Sequence, residues 1–203
     1  MTIRERWYMR NVLLLFIFFI LISSVCFSSG FKKSDWEIVS GDWIFEKGHV
    51  KNNAGENYWN MLARKKQDLK KSFKGSISVK FNREYYPAEN LQGIFLGLEE
   101  GKTMVFAGIY QNSAAKNYVM GVNNYHFIDG KWQNAGDWRN IEIEPLKGNR
   151  VYSLELEIKG DWAVLKFEGK EAKMKLKGIP RKGKIGISSS VGWTIFTDIE
   201  VKE

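Results

Sequence analysis

Cysteine occurs once, histidine twice and proline three times in the 203 residues of this chain. One cysteine, Cys26, closes no intramolecular disulfide, so a folded domain here has to be held by its core. Two histidines, His49 and His126, stand far apart and in no H-x-H or H-x-x-x-H spacing, which leaves no zinc motif. No Asp/Asn run has the spacing of a calcium loop, so a structural calcium is unsupported and the expected cofactor is none. No Pro-, Gly- or Ser-rich linker divides the chain, and no internal repeat appears. Helical periodicity is nearly absent. The charged stretch Arg64 to Phe73 has too thin an apolar face for a helix and reads as a solvated loop.

Charge is missing altogether from Asn11 through Phe31. Arg4, Arg6 and Arg10 precede that stretch, and Val12 to Phe27 is an apolar run. A basic start followed by an apolar stretch is the pattern of an export signal. The run alone is short for a membrane span of roughly 20 residues, whereas the whole uncharged stretch is long enough. Residues 1–30 therefore read as a signal peptide or a signal anchor, with the arginines inside and residues 34–203 forming one exported domain. Cys26 resembles the lipid-modified cysteine of bacterial lipoproteins, although Val25 stands where Gly, Ala or Ser is usual. Cleavage, retention and lipidation all stay open. Phe31 to Ser34 reads as a short spacer from the membrane.

What is present in the domain is strand pattern. In Ser153 to Lys159, Leu154, Leu156 and Ile158 alternate with Glu155, Glu157 and Lys159, which describes a half-buried antiparallel strand. Gly160-Asp161 is a two-residue hairpin signal. Trp162 to Phe167 follows, then a turn at Glu168-Gly169, then Glu171 to Lys177. Asp42 to Asn52 reads as a hairpin turning at Lys47-Gly48. At the C-terminus Trp193, Ile195, Thr197, Ile199 and Val201 share a face. Gly93 to Leu98 and Met104 to Tyr110 are apolar on both faces and belong in the middle of sheets. About twelve short strands joined by Gly and Asn turns predict an all-β sandwich of two antiparallel sheets.

Three segments carry a family resemblance: Trp36 to Gly48, Tyr152 to Lys170, and Gly183 to Val201 with its G-K-I-G-I start. In order and spacing they resemble the concanavalin A-like lectin/glucanase superfamily, above all its laminin-G-type members and the 3-keto-disaccharide hydrolase domain. The resemblance implies a jelly-roll sandwich. It implies glycan binding, hydrolysis of a 3-keto-glycoside or a related sugar, or a protein-binding scaffold role, since fold does not carry function.

The carboxylates argue against a typical glucanase. Such enzymes set E-x-D-x-E or E-x-D-x-x-E on one strand, and glycoside hydrolysis needs two carboxyl groups across a cleft. Glu142/Glu144, Asp198/Glu200 and Glu155/Glu157 are pairs without a third acid, and read as solvated faces. Aromatic content, at 14 %, is the stronger signal. Trp36, Trp43, Trp162 and Trp193 fall in the family-like segments and read as core. Tyr58-Trp59, Tyr85-Tyr86 and the segment Asn123 to Trp138 place rings among amides, the pairing that stacks and hydrogen-bonds a sugar. The candidate ligand site is therefore Asn124, Tyr125, His126, Asp129, Trp132 and Trp138, on a loop between strands. The chain is formally +8, and Arg4, Arg6 and Arg10 less Glu5 account for +2 of it, leaving +6 on the domain. Export makes nucleic acid an unsuited partner. The expected partners are a cell-wall or extracellular carbohydrate and, if the N-terminal segment is uncleaved, the membrane.

Overall fold

The computed structural model describes residues 31–53, 59–69, 75–83, 90–99, 103–112, 117–128, 131–134, 141–148, 150–176, 183–190 and 194–202. Within them a 3-10 turn at Lys33–Asp35 precedes fifteen strands. In chain order these are β1 (Trp36–Ser40), β2 (Trp43–Glu46), β3 (His49–Asn52), β4 (Asn60–Leu69), β5 (Gly75–Arg83), β6 (Asn90–Glu99), β7 (Thr103–Asn112) and β8 (Asn117–Ile128). They continue as β9 (Lys131–Asn134), β10 (Ile141–Ile143), β11 (Tyr152–Lys159), β12 (Trp162–Phe167), β13 (Lys170–Lys175), β14 (Gly183–Ser189) and β15 (Thr194–Lys202).

Two antiparallel sheets result. One runs β1-β4-β14-β6-β7-β8-β10, with β9 paired to β8 beyond the end of β10; the other runs β13-β12-β11-β5-β15-β3-β2. Their inward faces build the main core, where Leu62, Ile94, Val105, Ile109, Met120 and Ile187 meet Ile77, Val79, Phe81, Leu154, Leu156 and Phe196. The predicted alternation of β11 is present: Leu154, Leu156 and Ile158 are buried between outward Glu155, Glu157 and Lys159. The hairpin at Lys47-Gly48 pairs Glu46 with His49. β6 and β7 are buried on both faces, as their unbroken apolar runs require.

Polar contacts close one end of the sandwich. Ser190, just past β14, accepts at Oγ from the Leu91 amide at 2.7 Å and donates its own amide to the Leu91 carbonyl at 2.7 Å. Its carbonyl accepts the Asn52 side-chain amide at 2.9 Å, which ties the second sheet to the first.

Four expectations change. Arg64 to Leu69 is strand, not loop, because β4 is an interior strand whose backbone is claimed on both sides: Arg64 pairs with Trp36, and Asp68 and Leu69 pair with Lys184 and Gly183. In β15 a register shift between Phe196 and Asp198 changes the phase, so Thr194 and Phe196 point inward before it and Ile199 after it. Trp162 is exposed rather than core, since Ala163, Leu165 and Phe167 are the inward positions of β12. Phe31 to Ser34 is no spacer: Phe31 is buried and stacks on Trp36, 4.9 Å between ring centroids. Residues 1–30 and Trp193 lie outside the described residues.

Candidate functional site

The eight-stranded sheet has a second apolar cluster on the face turned away from the main core. It consists of Met61, Ala63, Leu91, Phe95, Leu98, Met104 and Phe106, with Trp59, Tyr110 and Tyr125 packed against it and partly exposed. Register explains the face. Gly186 pairs with Phe95, Phe95 with Phe106, and Phe106 with Asn123, so these four positions form one row across β14, β6, β7 and β8.

Glycine makes room for the rings. A Cβ at Gly108 would lie 2.5 Å from the Phe106 ring and 2.4 Å from the Gln92 carbonyl, and one at Gly186 would lie 2.4 Å from the Phe95 ring. Both phenylalanines therefore lie down along the sheet across side-chain-free backbone. The face is thus lowered, and the taller rings stand at its rim.

Trp59 meets Phe106 edge-on at 5.2 Å and Tyr125 at 4.8 Å between centroids. Trp59 precedes β4, which is four strands from β8 in the sheet. That is about 19 Å along a flat sheet at roughly 4.8 Å per strand. The chain entering β4 and the end of β8 thus bend toward one another over this face. The Ser40 hydroxyl fixes the approach by donating to the Trp59 carbonyl at 2.5 Å.

Tyr125 is the chemically informative ring. Burial, with Tyr110 adding to it, pushes its phenol up to about 12, while the Asn123 side chain pulls the other way. The Asn123 amide nitrogen is buried and falls short of a full hydrogen bond with any partner. Its Oδ1 accepts the Asn124 amide at 2.7 Å. A protonated phenol and an amide thus sit two residues apart on the same face. The part-exposed phenol can bond a hydroxyl from outside, whereas the Asn123 side chain is fully buried.

The residues expected from sequence divide. Asn123 to Ile128 is not loop but the second half of β8, and β9 returns beside it, with Tyr125 opposite Asn134, His126 opposite Gln133, and Phe127 opposite Trp132. Alternation puts Tyr125 on the face just described and Asn124 and His126 on the other. His126 is exposed. Trp132 occupies the register position opposite Phe127. Asp129 and Trp138 lie outside the described residues, as do Tyr58, Tyr85 and Tyr86. Trp59 and Tyr110 were the missed partners. Trp59 was visible as a ring in a polar context, but nothing in its neighbourhood pointed to Tyr125.

A recess of about 470 Å³ lies elsewhere, between the β10–β11 connection and the β12–β13 turn. Arg150, Lys147, Lys170, Glu144 and Glu168 surround it over Tyr152 and Phe167. Arg150 lies over the Tyr152 ring at 4.9 Å and pairs with Glu168. None of the expected site residues lines it. The outward carboxylates elsewhere are mostly engaged by lysine: Glu157 lies 2.8 Å from Lys166 and 2.9 Å from Lys159, Asp198 3.4 Å from Lys80, and Glu200 3.0 Å from Lys202. Among the described residues no three His, Cys, Asp or Glu side chains converge as metal ligands.

No family model and no curated protein matches the sequence significantly. Solved structures do. The carbohydrate binding module CBM66 from Bacillus subtilis matches at a TM-score of 0.58 and 12 % identity, over 83 % of this chain and 96 % of that one. A kappa-carrageenase from Pseudoalteromonas carrageenovora, in complex with an oligotetrasaccharide, matches at 0.57 and 8 % identity, over 84 % and 89 %. The CBM2 module of the evolved Dit of Lactobacillus casei BL23 phage J-1 matches at 0.54 and 14 % identity, over 80 % and 79 %. These likenesses establish the fold: a concanavalin A-like jelly-roll sandwich.

Proposed function

We propose that this chain is an exported glycan-binding module of the cell envelope, which holds a saccharide on the outward face of its eight-stranded sheet without hydrolysing it. The observation that carries the reading is the rim of three part-exposed rings, Trp59, Tyr110 and Tyr125, above a floor flattened by glycine. Sugars offer C–H faces to such rings and hydroxyls to the amides and phenols beside them. The neutral phenol of part-exposed Tyr125 stands ready for the second task. Trp132, opposite Phe127, extends the same strand pair.

Binding is favoured over catalysis by the residues on that face. Its row across β14, β6, β7 and β8 reads Gly186, Phe95, Phe106 and Asn123, with no carboxylate in it. Retaining and inverting glycosidases each need two. The solved structures of similar fold include proteins described as carbohydrate binding modules and a kappa-carrageenase, which supports a saccharide partner and leaves the choice between binding and hydrolysis to the residues of the face. The test is a glycan array probed with the full chain in lipid nanodiscs, followed by a hydrolysis assay on each hit. Binding without turnover is expected. Turnover of a hit would replace the module with an enzyme, and an array without hits would remove the reading.

A further inference from the structure

The exported domain has no slack at its start. Phe31 is already packed on Trp36 in the core, and β1 begins at Trp36 after a single 3-10 turn. The uncharged stretch from Asn11 therefore runs directly into folded structure. A chain held in a bilayer by the uncharged stretch that starts at residue 11 has at most residues 28–30 between its apolar run and that core, and three residues span roughly 10 Å at most. The flank that receives Phe31 must then stand at the headgroups.

That flank has the surface such a position calls for. β1 ends one sheet and β2 ends the other on the same side of the sandwich, while β10 and β13 meet on the opposite side. Six large hydrophobic residues are strongly exposed among the described residues, and three of them are here: Ile38 at 46 %, Val39 at 40 % and Ile44 at 39 %. Edge strands of water-soluble sheets are normally blunted by charge or proline, because bare edges recruit other chains. Each of these two carries a single acid, Glu37 or Glu46, beside the exposed aliphatic side chains. Of the acids nearby, Glu37 pairs with Lys184 at 2.6 Å and Glu46 with His49 at 2.9 Å, while Asp42 accepts the Asn53 amide at 2.6 Å and Asp35 the Ser34 hydroxyl at 3.3 Å. Lys32, Lys33 and Lys47 are exposed around them.

We propose that the β1–β2 flank rests on the bilayer that holds the apolar run. Ile38, Val39 and Ile44 enter the headgroup boundary, and the three lysines face anionic lipid. The inference rests on the run staying in the membrane and does not depend on what the outward face of the eight-stranded sheet binds.

The test uses the full chain in vesicles of phosphatidylethanolamine with a minority of phosphatidylglycerol, doped with a phospholipid carrying a diazirine near its headgroup. After irradiation and trypsin, peptide 34–47 reports the flank, and peptides 151–159 and 160–166 report Val151 and Trp162 elsewhere on the surface. Peptide 34–47 should carry on the order of tenfold more label, since side chains set about 5–10 Å into the headgroup boundary meet the reagent and the others do not. The double variant Ile38→Glu, Ile44→Glu should lose most of that label while its thermal melt is unchanged. Equal labelling of the three peptides in a chain that floats with the vesicles overturns the docking. A chain that does not float, or a cellular protein whose intact mass lacks residues 12–27, overturns it at its premise and leaves the glycan reading standing.

Discussion

Tyr125 shows how one residue joins packing to chemistry. Burial raises its phenol to about 12 from an ordinary 10.0, so the fold favours the protonated form. Its contribution to stability is present below pH 10 and is lost as the pH rises toward 12. The tyrosinate absorbance should therefore titrate with a late component near 12 that Tyr125→Phe removes; an unchanged titration would take Tyr125 out of the buried cluster. Glu157 runs the other way. The Lys166 hydrogen bond, then that of Lys159, lowers its carboxyl below 4.5. Its contribution is present above that value and is lost as the pH falls below it, and it is small because the pair is near the surface. Tyr125 was legible as a ring among amides. Trp59, its contact at 4.8 Å, was not, because the contact is made by chain path and not by spacing.

At the scale of elements, strands with one solvated face were legible and strands with special duties were not. β11 alternates cleanly and can be tested as such. Leu156→Asp should cost about 3 kcal/mol or more by burying an unpaired charge, whereas Glu157→Lys, on the outward side, should cost about 1 kcal/mol or less in denaturant titrations. If Glu157→Lys proves the more damaging, the faces are reversed. β4 hid its strand behind lysines because its pairing partners, not its side chains, hold it. β15 hid its phase behind a bulge. The β8–β9 hairpin looked like a loop because its rings and amides are not the residues of a solvated strand, yet only a strand could separate Tyr125 from Asn124 and His126 so completely. The glycine floor was invisible until Phe95 and Phe106 were seen lying on it. Gly108→Ala should cost about 1–3 kcal/mol, since its Cβ would meet the Gln92 carbonyl at 2.4 Å, and a normal melt would deny the close approach. Ser190→Ala should cost about 1–3 kcal/mol by leaving the buried Leu91 amide without its hydroxyl acceptor.

For the whole molecule, the order and spacing of three segments sufficed to read a concanavalin A-like sandwich, because that fold is set by alternation and turns. Which strands become neighbours was not readable, since sheet order β1-β4-β14-β6 joins segments from the two ends of the domain. The same non-local pairing assembles the ring face. β8 stands five strands from β1, roughly 24 Å away at 4.8 Å per strand. The curvature of the sheet shortens that path: Tyr125 meets Trp59, whose carbonyl accepts the Ser40 hydroxyl at the end of β1, so the ring face begins beside the β1–β2 flank. The direct test of the proposed glycan face is calorimetric titration of the strongest array hit into the wild type, Trp59→Ala and Trp162→Ala. Trp59 is half-buried and Trp162 exposed; Trp162 lies on the other sheet and serves as the control. Trp59→Ala should weaken binding by about 1–3 kcal/mol, the scale of an aromatic stacking contact, with Trp162→Ala unchanged. Full affinity in a folded Trp59→Ala, or a loss confined to Trp162→Ala, would contradict the account.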